Sequence, residues 1–260
     1  MSLPTFNGFS LQDSNFITER IVFKGYAGRE VITAHINRRE GIKLLSTEFG
    51  GKEITLEGNL IADSASDLQT KLDNMKKALT AEEGSLIIES DRTFTATVKN
   101  LSIPDEHYSQ SKAPFIVTFI CSNPFAEGSL QTVVTNVPSG LFTYSGQVNI
   151  SGTMFARPTV EYIPPTGPGT GNTLIKTLSL THTPTGQVLT VSGFNNSGGL
   201  DYSEVVTINM DSFSALEGSD EIDISGAFPR WQPGVNSYTI TVSGRYPGGQ
   251  VRLSYNPRYL

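Results

Sequence analysis

Hydrophobic and polar residues in the first half of the chain follow two different periods. Five apolar side chains near one segment recur at steps of three and four residues, which produces a single helical stripe: Ala65, Leu68, Leu72, Met75 and Leu79. Ser66 and Gln69 have the spacing of a capping box, and Lys76 and Lys77 fall in the last turn, where the helix dipole favours cations. We therefore predict one helix over 66–80, with its apolar stripe on another layer of the domain.

The segments around this helix alternate apolar and polar residues, as half-buried strands do. Six strands are predicted: Thr18–Phe23, Glu30–Ile36, Lys52–Ile61, Ser85–Ser90, Thr93–Val98 and Pro114–Cys121. Strands before and after a single helix are typical of an α+β domain with the helix on one face of the sheet.

The second half of the chain shows no helical period. It contains short strand candidates separated by residues that favour turns: Gln147–Ile150, Thr159–Ile163, Leu174–Thr181, Gln187–Val191, Glu204–Asn209, Glu221–Ile224, Ser237–Val242 and Val251–Tyr255. Short strands at this spacing predict a β-sandwich. The fold class is therefore mainly β with some α.

Composition changes between the halves of the 260-residue chain. Eight of the nine lysines precede residue 130, whereas glycine and proline are concentrated after it. A strand-like run stops at Asn123-Pro124 and a glycine follows at 128, which is a typical boundary signal. We predict two domains, 1–128 and 129–260.

Charge and cysteine content exclude several protein classes. A formal net charge of −6 disfavours nucleic-acid binding, which needs clustered Lys and Arg. One cysteine excludes an internal disulfide framework and a cysteine-cluster metal site. No stretch reaches the roughly 20 apolar residues that span a bilayer, so we expect no membrane insertion. The first residues lack the features of a signal peptide, and we expect no export by that route.

The histidines and the cysteine give weak signals for chemistry. His35, His107 and His182 are far apart and match no metal-binding spacing, so a metal site would have to be assembled in space. Ordinary strand and loop histidines are the favoured interpretation. Cys121 ends an apolar strand, and a buried core thiol is favoured over a nucleophile.

Three further segments resemble functional motifs only in part. Gly167–Gly171 has the composition of a phosphate loop but lacks its Gly-Lys-Ser/Thr ending and the helix that should follow. Asn195-Asn196-Ser197 is formally a glycosylation acceptor. An acidic group does not match the spacing of a calcium loop, and a solvated loop is the favoured interpretation: Asp211, Glu217, Asp220, Glu221 and Asp223.

Trp231 is the one tryptophan of the sequence. Four tyrosines follow it in the sequence: Tyr238, Tyr246, Tyr255 and Tyr259. Together these aromatic rings would suit a sugar-binding surface if they were exposed. A position in the core or at a corner of the sandwich is favoured, because large aromatic side chains are mostly buried.

Several stretches, in this order along the chain, resemble the siphophage distal tail protein family. The N-terminal half contributes Leu56-Glu57-Gly58-Asn59-Leu60-Ile61, Ala65-Ser66-Asp67-Leu68 with the helix to Leu79, Glu83-Gly84-Ser85-Leu86, the strand Phe94–Val98, and the run Phe115–Phe125. The C-terminal half contributes Gly226-Ala227-Phe228-Pro229, Gln232-Pro233-Gly234-Val235-Asn236 and the ending Val251–Leu260. The resemblance covers nearly the whole chain.

The resemblance implies a fold, an assembly and a location. The fold would be a sheet-and-helix domain that forms a hexameric ring, with a galectin-like β-sandwich around its outside. The ring would lie at the distal end of the virion tail, assembled in the host cytoplasm, and would join the tail tube to the tip or baseplate. Implied partners are other copies of the chain, the tail tube protein, the tape measure protein, the tail-tip hub protein and receptor-binding proteins. DNA would only pass through the channel.

The family offers no catalytic residues, and none can be named from the chain. We therefore expect no enzyme activity, no cofactor and no metal. A carbohydrate-binding β-sandwich that contributes to host adhesion stays open as an alternative, and a hydrolase is a weak third hypothesis.

Overall fold

The structure is a computed structural model that describes residues 3–23, 29–35, 42–89, 91–104, 109–165, 175–194, 200, 204–244 and 248–260. The chain divides into two compact units. The N-terminal unit comprises Met1–Glu127 with Leu260, and the C-terminal unit comprises Gly128–Tyr259.

The N-terminal unit is built mainly from antiparallel strands. They are β1 (Thr5–Phe6), β2 (Phe9–Ser10), β3 (Phe16–Phe23), β4 (Arg29–His35), β5 (Ile42–Phe49), β6 (Lys52–Ile61), β7 (Gly84–Glu89), β8 (Arg92–Ser102), β9 (Lys112–Cys121) and β10 (Ala126–Glu127), with the helix α1 (Ala65–Ala78) between β6 and β7. All six strands predicted from the alternation are present, and β6 has the predicted bounds. The short strands β1, β2 and β10, and the strand β5, were not predicted.

The main sheet of this unit has the strand order β2-β1-β7-β8-β9-β6-β3. Between β6 and β9 the register pairs Leu56 with Val117 and Gly58 with Phe115. β4 and β5 pair with each other, so this hairpin is inserted in sequence between the neighbouring strands β3 and β6. A Cβ at Gly58 would lie 2.3 Å from the Ile17 carbonyl oxygen, so glycine permits the close approach of β3 to β6.

The helix lies where the periodicity predicts it, but its cap differs from the prediction. The N-cap is Ser64, whose hydroxyl accepts a hydrogen bond from the Asp67 backbone N–H at 3.2 Å. The Asp67 carboxylate accepts one from the Asp63 N–H at 3.0 Å. The predicted pair Ser66 and Gln69 therefore lies inside the helix, because the reciprocal bonds form two residues earlier.

The apolar stripe of α1 is buried as predicted, apart from its first member. Leu68, Leu72, Met75 and Leu79 are at most 5% exposed, whereas Ala65 is exposed in the first turn. The Lys71 ammonium donates to the Ile61 carbonyl at 3.3 Å, which places α1 beside the end of β6.

The strands of the C-terminal unit are shorter on average. They are β11 (Gln131–Val137), β12 (Thr143–Ile150), β13 (Thr159–Ile163), β14 (Thr177–His182), β15 (Gln187–Ser192), β16 (Val206–Asn209), β17 (Ser214–Glu217), β18 (Asp220–Glu221), β19 (Asp223–Gly226), β20 (Gly234–Ser243), β21 (Gly249–Tyr255) and β22 (Arg258–Tyr259). The strand β11 was not predicted, because the adjacent apolar residues Val133 and Val134 break the alternation of apolar and polar residues in its sequence.

Two antiparallel sheets of this unit contribute to one core. Their strand orders are β11-β21-β13-β16-β17-β18 and β12-β20-β14-β15-β19. Val160 and Leu253 enter the core from the first sheet, and Leu180 and Ile240 enter it from the second. Each of these strands buries alternate residues, which is the period-two pattern that predicted them. The chain is thus mainly β with some α.

Candidate assembly surface

Of the three histidines, only His182 has a side chain within the described part of the structure. His35 ends β4, but its side chain falls outside the described part of the structure, as does the whole of His107. His182 is fully buried. Among the described residues, no three His, Cys, Asp or Glu side chains lie close enough together to hold a metal ion.

Both ring nitrogens of His182 are engaged in hydrogen bonds. The Asn236 amide nitrogen donates to the carbonyls of Gln232 (2.7 Å) and Gly234 (2.8 Å), so its Oδ1 accepts. Nε2 of His182, 3.0 Å from that oxygen, therefore carries a hydrogen, and Nδ1 lies 2.8 Å from the Thr185 hydroxyl. This histidine fixes the start of β20 to the end of β14.

Trp231 lies in the core, and the corresponding prediction is confirmed. Its ring is 0% exposed. It stacks on the His182 ring at 5.1 Å between centroids and lies 5.7 Å from the Tyr238 ring. An exposed sugar platform centred on Trp231 is therefore excluded, and the neighbouring Tyr246 lies outside the described residues.

Cys121 is buried at the end of β9, as predicted. Burial raises the pKa of its thiol from 9.0 to about 11, although the neighbouring Lys52 ammonium opposes the rise. Lys52 is itself only 8% exposed, and burial lowers its pKa. Its ammonium lies over the Phe94 ring at 5.0 Å and the Phe23 ring at 5.2 Å, contacts that compensate in part for lost hydration. Burial of Cys121 therefore favours the neutral thiol, which is unreactive, over the thiolate.

We expect Cys121 to be nearly inert in the native protein. A pKa of about 11 instead of 9.0 lowers the thiolate fraction at pH 8 by about a hundredfold, since each pKa unit is a factor of ten, and burial adds a steric barrier. The rate of reaction with Ellman's reagent, measured with and without denaturing guanidinium, checks this. A native rate equal to the unfolded rate would place the thiol at an accessible site.

The acidic group does not form one loop. Asp220 and Glu221 are exposed in β18, but Glu217 is 2% exposed because β17 alternates and turns this side chain inward with Ala215. The expectation of a solvated loop is therefore wrong for Glu217. Asp211 lies between Arg157 (3.5 Å) and Arg258 (3.0 Å). The segments 167–171 and 195–197 lie outside the described residues.

The main sheet of the N-terminal unit has two different faces. The inner face carries the fully buried core side chains, Leu56, Leu60, Val117 and Phe119 among them. The outer face, which we define by the alternate positions of β3, β6, β8 and β9, carries half-buried and exposed side chains. Three of its isoleucines are exposed: Ile17 at 36%, Ile61 at 39% and Ile120 at 40%.

Polar contacts order the outer face. The hydroxyls of Thr55 and Thr118 lie 3.2 Å apart across β6 and β9. Glu53 pairs with Lys99, and Glu57 lies 3.7 Å from Arg20. Cross-strand pairs of this kind stabilise a sheet modestly. The result is a mixed surface of threonine, isoleucine and paired charges.

A cleft of about 390 Å³ lies on the outer face where β3, β6 and β9 meet. Its polar lining includes Glu19, Asn59 and Lys112, and the Asn59 amide nitrogen donates to the Glu19 carboxylate. Among the described residues that line it there is no histidine, cysteine or hydroxyl nucleophile. Chemically, the cleft can receive a polar side chain of a neighbouring molecule.

None of the outer-face residues was predicted from the sequence to be a site residue. A signal did exist: in β6 and β9 the positions between the buried ones hold isoleucine and threonine rather than only charged residues. The alternation in a sequence shows which residues of a strand share a face of the sheet. It does not show which of the two faces is covered by the helix α1, which contacts β6 in the structure.

Residues 6–121 match the family model described as the phage tail protein RIFT-related domain, which spans almost the whole N-terminal unit. No curated protein gives a match to the chain. No helix in the described residues is long and apolar enough to cross a membrane.

Solved structures extend the likeness to both units. The Dit protein of phage SPP1, described as a paradigm of the hub adsorption apparatus in phages that infect Gram-positive bacteria, matches with a TM-score of 0.72 at 13% identity, covering 99% of this chain and 98% of that chain. Baseplate structures of phage P2 in its activated conformation, with calcium and with strontium, each match at 8% identity over 91% of this chain and 90% of theirs. Their TM-scores are 0.36 and 0.38. Residues 6–121 are therefore similar to the phage tail protein RIFT-related domain family, and the chain has the fold of the SPP1 Dit protein.

Proposed function

We propose that this chain is a structural protein at the distal end of a long, flexible phage tail. Copies of it, six in our proposal, form a ring that joins the tail tube to the tip or baseplate and leaves a channel for the tape measure protein and DNA. The observation that carries the proposal is the family match of residues 6–121, together with a fold shared over 99% of the chain with a phage hub protein.

The N-terminal unit supplies the ring contacts in this proposal. Its outer face holds exposed isoleucines among ordered polar pairs. Phe23 at the end of the edge strand β3 pairs with the buried Ile54 on the inner side of the sheet and is 41% exposed. β3 ends the sheet order, so one side of its backbone has no strand partner in the described part of the main sheet. Unpaired edges are prone to pair with another chain, and a repeated heterologous contact closes into a ring when the rotation closes.

The C-terminal unit takes the peripheral position in this proposal, as a galectin-like β-sandwich. The formal net charge of −6 suits a conduit that DNA must pass without being held. In the alternative function, sugar binding, the Trp231 ring would be the stacking surface. This ring cannot contact a sugar, because Trp231 is fully buried.

Charged substitutions on the outer face test this assignment in the full chain. Replacing Ile17 and Ile120 together by glutamate should abolish the native assembly, because a carboxylate in an apolar contact must be desolvated without a partner. Mass photometry and negative-stain imaging would show the loss of rings.

A matched control is the pair Val134→Glu and Val188→Glu in the C-terminal unit. These valines are 50% and 43% exposed, comparable to the two isoleucines, and their substitution should leave the rings intact. A wild-type protein that stays monomeric at high concentration would contradict the proposed ring. Rings lost only in the valine variant would contradict the assignment of the contacts to the N-terminal unit.

A further inference from the structure

Arginine and phenylalanine side chains of the C-terminal unit form one continuous stack, which we name the Arg–Phe ladder. Its order is Arg230, Phe155, Arg157, Phe213 and Phe228. The guanidinium carbon of Arg230 lies 5.0 Å from the Phe155 ring, and that of Arg157 lies 5.8 Å from Phe155 and 5.0 Å from Phe213. The Phe213 and Phe228 rings meet edge to face at 5.3 Å.

The ladder holds Phe213 in an unusual position. Its ring is 54% exposed on a residue with a φ of +57°, a conformation that bulky side chains rarely adopt. The turn is held in place because the Asn209 side-chain oxygen accepts hydrogen bonds from the backbone N–H groups of Asp211 (2.9 Å) and Ser212 (3.1 Å). The Phe213 ring is therefore held in a fixed position in which a partner could contact it without further ordering. Backbone strain of this kind persists mainly at functional positions.

Positive charge is concentrated at this surface. Residues 131–260 contain six Lys and Arg in a chain of net charge −6, and three of the six gather here: Arg157, Arg230 and Arg258. Asp211 neutralises Arg157 and Arg258. Arg230 is exposed, and no carboxylate among the described residues lies within ion-pair distance of it.

We propose that the Arg–Phe ladder docks an acidic, partly apolar segment of a partner protein. Arginine and aromatic residues are enriched in the centres of protein interfaces. The carboxylate of Asp211 between two guanidinium groups shows the ligand chemistry that this surface accepts, and Arg230 offers a further guanidinium for a partner's carboxylate. The exposed Phe213 ring provides the apolar contact beside it.

Two other ligand classes fit the geometry less well. Sugar stacking needs a bare aromatic face, but guanidinium groups lie over Phe155 and over Phe213. A polyanion such as a phosphate polymer needs an extended basic track, whereas this surface is short and contains the carboxylate of Asp211. The proposal goes beyond the proposed ring function and does not depend on it.

Fluorescence anisotropy with the full chain tests the proposal. The probe is a fluorescein-labelled peptide of alternating glutamate and leucine, and the matched probe carries glutamine in place of glutamate. We expect salt-sensitive binding of the glutamate peptide that Arg230→Ala weakens about tenfold, the loss typical of a central charged contact. Phe213→Asn should also weaken it, since asparagine tolerates the positive φ and removes only the ring. Arg252→Ala removes an arginine paired with Glu161 and should leave the affinity unchanged.

Three outcomes would overturn the proposal. They are equal binding of the glutamine peptide, an affinity that Arg230→Ala leaves unchanged, and Arg230-dependent binding of polyphosphate or a neutral oligosaccharide without peptide binding. Mass photometry on the same Arg230→Ala sample separates this result from the ring proposal, because ring formation should be unaffected by the substitution.

Discussion

Replacing Trp231 by alanine is expected to destabilise the C-terminal unit by about 3–5 kcal/mol, the range measured for large aromatic residues in protein cores. The ring is 0% exposed and contacts His182 and Tyr238, so its removal leaves a cavity beside a histidine whose two nitrogens are hydrogen-bonded. Circular dichroism during urea unfolding measures the loss. Hydrogen exchange of peptides from β14 and β20 assigns it to this unit.

Trp231→Phe is the matched control for this substitution. The indole N–H is buried without a hydrogen-bond partner among the described residues, so phenylalanine deletes volume but breaks no hydrogen bond. We expect a smaller loss, on the order of 1 kcal/mol. Equal losses for the two variants would show that the indole N–H, and not the ring volume, stabilises this core.

Periodicity predicted the elements well where one face of each element is buried. α1 and β6 combine strict periods with buried residues at the expected positions, so a pattern of apolar residues was enough to find them. The two-residue strands β1, β2 and β10 are too short to show any period. The cap of α1 was misplaced because Ser64 and Ser66 both have the residue type of a cap, and only the backbone decides between them.

The candidate surfaces were harder to predict than the fold. Phe155, Phe213 and Arg230 come from three segments that are distant in sequence, and only tertiary contacts bring them together. The burial of Glu217 was missed because a charge run was expected to be solvated. The proposed role in a phage tail depended on the order of several soft motifs, since no single residue carries chemistry that identifies it.

Replacing Leu72 by alanine is expected to destabilise the N-terminal unit by about 2–5 kcal/mol. Leu72 lies in the middle of the buried stripe of α1 and is 3% exposed, and the helix is too short at 14 residues to be stable without tertiary packing. Trp231 lies in the other unit, so tryptophan fluorescence does not report on this site. Hydrogen exchange of peptides that cover 65–79 gives the local measurement.

Two substitutions on the same helix separate lost packing from a general effect of mutation. Leu72→Met keeps the volume and should cost less than about 1.5 kcal/mol, and Lys77→Ala on the exposed side should change stability by no more than about 0.5 kcal/mol. If Leu72→Ala left exchange over 65–79 unchanged, the stripe would not be what stabilises α1.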